Sequence, residues 1–176
     1  QDPAVNYLDM QYMLGDHLLV APIFQENGEV DYYLPDGNWT HLLSEEIKEG
    51  GHWYHDKYDY FSLPLYVRPN TLLAVGANQE KPDYDYSRGV TFHLYQLSDG
   101  KQAVAEVPGL NGEIKLRAKA ERNGNKIKLS TTQLTPEMSY VLHGINEIKE
   151  IEGANYAVEG NKARIIPTQK EVLVEV

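Results

Sequence analysis

The stretch VTFHLYQLSDGKQAVAEVPGLNGEIKLRAKAERNGNKIKLSTT, residues 90–132, decides the fold class of this chain. It parses into short apolar-bearing runs at 90–97, 101–107, 112–120 and 126–132. Between them stand Asp99-Gly100, Asn111-Gly112 and Asn123-Gly124. Each dipeptide offers a glycine that takes a positive φ without steric cost, which tight hairpin turns demand. Regular short strands broken by such turns predict a β-sandwich.

The pattern extends both ways. Downstream, Met138 to Ile145 reads as a strand, and 148–176 fits three more short strands with a turn at Gly160-Asn161. Upstream, 76–82 is polar and turn-rich with no apolar period, and it predicts a boundary. Before it, strands are expected at 17–23, 29–34, 39–43, 60–67 and 71–75. Pro35-Asp36-Gly37-Asn38 forms a turn, because Pro fixes φ and Gly accepts a positive one. Residues 44–51 read as a polar loop ending in two glycines. Leu63, Leu65 and Val67 alternate as one-faced burial requires, and Pro64 marks an edge or bulge.

The first residues carry a different period. Asp2 suits an N-cap, Pro3 the first helical position, and Val5, Leu8, Tyr12 and Met13 recur at helical spacing, with Gly15 placed to end the helix. The expected architecture is all-β. It has two β-sandwich domains in tandem, 17–80 and 81–176, preceded by one short α-helix within 1–16.

Composition narrows the function. The chain has 176 residues, enough for two small cores, with 41% hydrophobic and 24% charged residues. A net charge of −10 without a basic stripe argues against nucleic acid and against anionic membranes as partners. No apolar run approaches the roughly 20 residues of a membrane span. The absence of Cys removes disulfides, thiol catalysis and thiolate metal sites, and it suits a cytoplasmic location. A start at Gln1-Asp2-Pro3 without Met is expected to lie inside a longer chain. Tyr is abundant at 13, against three Phe and two Trp. Such aromatics suit half-buried strands and sugar-facing surfaces alike.

His52-Trp53-Tyr54-His55-Asp56 is the densest run of metal-ligand types, but no further ligand pair has metal-site spacing. Asp83-Tyr84-Asp85-Tyr86-Ser87-Arg88-Gly89 opens like a calcium loop. Its glycine falls one place late, and Leu94 stands where a bidentate Glu is required, so a turn is expected. No pair of carboxylates is marked out for glycoside hydrolysis. Phosphate loops and nucleophile elbows are absent. Trp39 and Trp53 are expected in the core rather than as sugar-stacking platforms. No catalytic, cofactor-binding or metal-ligating residue is assigned, and no cofactor is expected.

Three blocks carry a resemblance. They are Gln11-Tyr12-Met13-Leu14-Gly15-Asp16 leading into Leu19-Val20-Ala21-Pro22-Ile23; Tyr33-Leu34-Pro35-Asp36-Gly37-Asn38-Trp39-Thr40; and Ser62-Leu63-Pro64-Leu65-Tyr66-Val67-Arg68-Pro69-Asn70-Thr71. Their order and spacing resemble glycoside hydrolase family 31, the retaining α-glucosidases and α-xylosidases. Lys81-Pro82-Asp83-Tyr84, Thr91-Phe92-His93-Leu94-Tyr95 and Glu106-Val107-Pro108 resemble the distal C-terminal domain of the bacterial α-xylosidase branch. The resemblance implies a helix flanking a catalytic (β/α)8 barrel, then a proximal and a distal sandwich. The partner it implies is that barrel, in a parent that cuts terminal α-linked xylose by double displacement.

The family's two catalytic aspartates lie at barrel strand ends, so none is carried over to this chain. Leu8-Asp9-Met10-Gln11 resembles the nucleophile motif only faintly, lacking the preceding Trp and the following acid. Arg68, just before Pro69, could pair with an acidic partner on the barrel or equally be a solvated strand-end charge, and the second is the expectation. The competing reading is an independent carbohydrate-binding module, which needs exposed coplanar aromatics. Apolar surface left without its barrel predicts self-association, a homo-oligomer, or fraying at the N-terminal end.

Overall fold

A computed structural model describes residues 8–176. The chain divides into two compact units, 1–69 and 70–176. No α-helix occurs among the described residues. The architecture is all-β, with several antiparallel sheets whose pairing is consistent with two sandwiches.

In the first unit, strands β1 (Tyr12–Leu14), β2 (Leu18–Val20), β4 (Asn38–His41), β5 (Ile47–Glu49) and β7 (Leu65–Val67) form one sheet in the order β1-β2-β7-β4-β5. Strands β3 (Glu29–Leu34) and β6 (His52–Lys57) form a separate two-stranded sheet, paired from Glu29↔Lys57 to Leu34↔His52. The two sheets share a small core of Leu19, Ala21, Val30, Tyr32, Leu34, Trp39 and Tyr66.

The expected N-terminal helix is corrected where it can be seen. Residues 1–7 of it lie outside the described residues. Tyr12–Leu14, assigned to its last turn, is a strand pairing antiparallel with Leu18–Val20. The physical reason is the three-residue turn between them, in which Gly15 at φ +61° reverses the chain as a hairpin. Gly15 takes the left-handed conformation expected of it, but it closes a hairpin instead of capping a helix.

The second unit holds two five-stranded sheets. One contains β10 (Gln102–Pro108), β11 (Ile114–Asn123), β12 (Lys126–Thr131), β14 (Glu150–Glu152) and β17 (Glu171–Glu175), in the order β10-β11-β12-β17-β14. The other contains β8 (Thr71–Val75), β9 (Thr91–Tyr95), β13 (Ser139–His143), β15 (Ala154–Glu159) and β16 (Lys162–Pro167), in the order β15-β16-β13-β9-β8. Period-two burial follows from the pleat. Ala103, Ala105 and Val107 are buried on β10, Ile127 and Leu129 on β12, and Val172 and Val174 on β17. These residues join Phe92, Leu94, Tyr140, Leu142, Ala163 and Ile165 from the second sheet in one core. The β9–β13 pair is parallel, and the chain between these strands runs through the opposite sheet.

Four local readings differ from the sequence expectations. The tail 148–176, expected to hold three short strands, holds four, β14 to β17. Thr71–Val75, read with the first sandwich, pairs with Thr91–Tyr95 of the second unit. Pro69 donates no ladder hydrogen bond, and Asn70 at φ +60° turns the chain; its amide donates to Gln96 O at 3.2 Å, and its Oδ1 accepts from Ser98 N at 2.7 Å. The loop at 44–51 contains the short strand β5. Its Gly50 is buried, and a Cβ there would meet Pro35 O at 1.7 Å, so the double glycine serves a close backbone approach. Lastly, the strand expected at 60–67 is limited to Leu65–Val67; Val67 is buried as expected, but Leu63 and Leu65 are only partly so, and the other fully buried side chain of the strand is Tyr66.

Candidate docking surface on the first unit

The two-stranded β3–β6 sheet needs something to hold it on the five-stranded sheet, and tyrosines supply it. Tyr32 stacks on its cross-strand partner Tyr54 and on Tyr66 of β7, each at 5.6 Å between ring centres. Burying Tyr hydroxyls requires partners. The Tyr32 hydroxyl donates to Asp56 Oδ2 at 2.5 Å, lies 2.9 Å from Tyr66 Oη and accepts from Lys48 Nζ at 3.0 Å. Lys48 of β5 also bonds Asp56 Oδ2 at 2.5 Å and sits 4.7 Å from the centre of the Tyr54 ring. Tyr58 closes the chain with its hydroxyl 3.3 Å from Tyr66 Oη.

The electrostatics follow from this geometry. Burial would raise the Asp56 carboxyl, but the Lys48 ammonium and the Tyr32 hydroxyl outweigh it and hold the carboxyl below its ordinary range. Burial pushes the Tyr32 and Tyr66 phenols far above theirs, so both remain neutral donors. His41 is buried, and burial lowers its pKa against the opposing bond to Leu63 O. Its Nδ1 accepts from Leu43 N at 3.3 Å and Ser44 N at 3.1 Å. That assigns the proton to Nε2, which donates to Leu63 O at 3.0 Å. Each group is satisfied inside the fold, which is the pattern of a structural clamp.

The outer surface of the same unit is different. Trp39 behaves as expected, 1% exposed, with Nε1 donating to Pro35 O at 2.6 Å. Trp53 does not. It is 58% exposed, resting at a tilt of 52° against its cross-strand partner Tyr33. Tyr60 and Phe61 are 95% and 88% exposed, and Phe24 and Tyr12 are also exposed. Among the described residues, six aromatics are exposed, and Tyr156 is the one that falls in the second unit. Arg68 is exposed at its strand end, with its guanidinium 5.9 Å from the Trp39 ring.

The other singled-out residues are placed as follows. His52 and His55 lie three apart on β6, so the pleat sends them to opposite faces and they share no ligand set. His55 Nδ1 pairs with Asp31 Oδ1 at 2.8 Å, and that bond raises its pKa. Asp85 forms a turn with Arg88 N donating to its carbonyl at 3.0 Å. Its carboxylate accepts from Ser87 Oγ at 2.7 Å and pairs with Lys115 Nζ at 3.1 Å, interactions that hold it below its ordinary pKa. It is occupied by the fold rather than presented to an ion.

Two family models divide the chain between them. Residues 85–176 match the one described as α-xylosidase YicI, C-terminal domain, and residues 1–73 match the glycosyl hydrolase family 31 C-terminal domain. The chain belongs to the C-terminal, non-catalytic β-domains of the family 31 α-glycosidases. It is 34% identical over 140 residues to α-xylosidase XylQ of Lactiplantibacillus pentosus, an alignment spanning 78% of this chain and 18% of XylQ. It is 37% identical over 84 residues to an α-xylosidase of Emericella nidulans, covering 43% of this chain and 11% of that protein. The chain thus spans less than a fifth of each of these relatives.

Solved structures agree in fold. A family 31 dextranase from Flavobacterium johnsoniae superposes with a TM-score of 0.79 at 17% identity, over 99% of this chain and 28% of that one. A family 31 α-xylosidase from Xanthomonas citri gives 0.60 at 22% identity, over 81% of this chain and 17% of that one.

Sequence reasoning missed the exposed set of Trp53, Tyr60 and Phe61. A usable signal for the last two was present: adjacent aromatics directly after Asp59, outside any alternating run.

Proposed function

We propose that this chain is the C-terminal scaffold of an enzyme that hydrolyses terminal α-xylosidic bonds, and that its first unit is a packing surface for the enzyme's (β/α)8 catalytic barrel. The observation that carries the reading is the concentration of exposed aromatics on the first unit. Each large apolar side chain left in water forfeits about 1.5–3 kcal/mol relative to burial. A partner that covers several of them recovers that free energy. The relatives supply the direction, since two of them are α-xylosidases and both family models describe C-terminal domains.

The second reading, an independent carbohydrate-binding module, is favoured by one fact, the exposure of Trp53. Ring geometry weighs against it. Trp53 is tilted against Tyr33, and Tyr60 meets Phe61 edge-on at 86°, so neither pair presents the coplanar platform that a run of sugar rings needs. Titration of the chain with soluble xylo-oligosaccharides, followed by Trp fluorescence, separates the readings. The scaffold reading expects no saturable change. A saturable change abolished by Trp53→Ala establishes the binding module.

A further inference from the structure

Tyr60 and Phe61 sit on a loop that is built to hold them in water. Asp59 Oδ1 accepts from Phe61 N at 3.0 Å and from Ser62 Oγ at 2.9 Å. Before the loop, Tyr58 N donates to Gly28 O at 3.0 Å, and the Tyr58 ring stacks on buried His41 at 5.9 Å. After it, Leu63 O accepts from His41 Nε2 at 3.0 Å and Pro64 O accepts from Ala21 N at 3.0 Å. Both feet of the loop are thus tied to the clamp beneath, and only the two rings project. They support each other edge-to-face at 5.6 Å between centres.

We infer that Tyr60 and Phe61 are the anchor by which this region docks into an apolar pocket of its own catalytic domain. The inference rests on the scaffold reading above and deepens it. Interfaces concentrate their binding free energy in a few rigid aromatics whose ordering cost is already met before contact. The Asp59 bonds and the two tied feet meet that cost here. A sugar ligand is disfavoured because the rings are nearly perpendicular, and an edge-to-face pair fills a pocket instead of lying under a pyranose. The catalytic domain is the occupant for two reasons. The chain matches C-terminal domain models while spanning 18% of XylQ, so most of such a relative lies outside the matched region. The exposed aromatics also gather on the first unit, the one nearer that upstream segment, rather than on the second.

Hydroxyl-radical footprinting of this chain and of the full-length enzyme containing it tests the anchor, with Tyr156 of the second unit as reference. The expected result is that oxidation of Tyr60 and Phe61 slows several-fold in the full-length enzyme, equally at low and high protein concentration. Oxidation unchanged at Tyr60 and Phe61 but slowed at Trp53 and Phe24 overturns the anchor while leaving the docking surface standing. Oxidation unchanged at all four overturns both. Slowing that disappears on dilution overturns the anchor in favour of a second copy of the protein. A variant carrying Tyr60→Ser and Phe61→Ser gives an independent check. It is expected to leave the unfolding midpoint of this chain unchanged and to lower that of the full-length enzyme. Equal midpoints for variant and parent in the full-length enzyme contradict the proposal.

Discussion

Replacing Lys48 by Met should unseat the clamp under the first unit, and the structure sets the size of the effect. The Met side chain keeps most of the Lys48 stem packing, so the change removes chiefly the ammonium. Asp56 then remains 29% exposed, beside Tyr32, with no counter-ion. Removing one partner of a fully buried pair costs about 3–5 kcal/mol. The partial exposure of Asp56 softens this, and we expect about 2–3 kcal/mol at neutral pH.

The pH dependence provides a second signature. In the wild type the Asp56 pKa is depressed, so its contribution is present above about pH 3.9 and is lost as pH falls through the folded value. In Lys48→Met the strongest interaction opposing burial is gone, so that pKa lies above the wild-type value and the variant loses less stability as the carboxyl takes up a proton. Urea unfolding followed by Trp fluorescence at pH 7 and near pH 4 measures both. The gap between wild type and variant should narrow on acidification, and the double variant Lys48→Met with Asp56→Leu should regain most of the loss. A loss under about 0.5 kcal/mol at pH 7, the scale of an exposed pair, would refute the clamp. So would a gap that is the same at both pH values.

Gly50→Ala should destabilise the chain by about 2 kcal/mol or more, because its Cβ would fall 1.7 Å from Pro35 O and that atom is backbone; chemical denaturation reads it. Leu129→Ala, in the centre of the second core, should cost about 2–5 kcal/mol while leaving the Lys48–Asp56 clamp intact, as thermal unfolding of the two variants would show. His41 has a depressed pKa, so its contribution is present above about pH 6.5 and is lost as pH falls toward the folded value. His41→Asn, whose Oδ1 offers Leu43 N and Ser44 N an acceptor that does not titrate there, should flatten that part of the stability profile. The exposed polar run 77–83, between β8 and β9 of the second unit, should be the first site of limited proteolysis; earlier cuts within 91–132 would contradict that expectation.

The second unit was legible because its signals are local and agree. Gly124 and Gly160 adopt the positive φ that their turns need, and the flanking residues pair directly, Asn123 with Lys126 and Glu159 with Lys162. The first unit was harder for physical reasons. Tyr12 and Leu8 share a helical spacing, but the three-residue turn at Gly15 offers a hairpin that local periodicity does not reveal. Ile47-Lys48-Glu49 reads as loop because its value lies in Lys48, whose partners Tyr32 and Asp56 are distant in sequence. Trp53 reads as core in the sequence because a lone Trp beside a strand turn is usually buried. Here β6 belongs to a two-stranded sheet, and Trp53 stays 58% exposed beside its buried cross-strand partner Tyr33. The family was readable from three motif blocks, whereas the docking surface depends on which aromatics lack cover, a tertiary property.

The proposed scaffold role requires that this region support catalysis without performing it. Turnover of an aryl α-xyloside by the full-length parent, by the parent truncated before Gln1, and by this chain alone tests that most directly. A scaffold role gives turnover by the full-length enzyme, a severe loss of activity and solubility on truncation, and none from this chain above the no-protein control. Turnover by this chain alone, abolished by a substitution within it, or a truncated parent as stable and active as the whole, would contradict it.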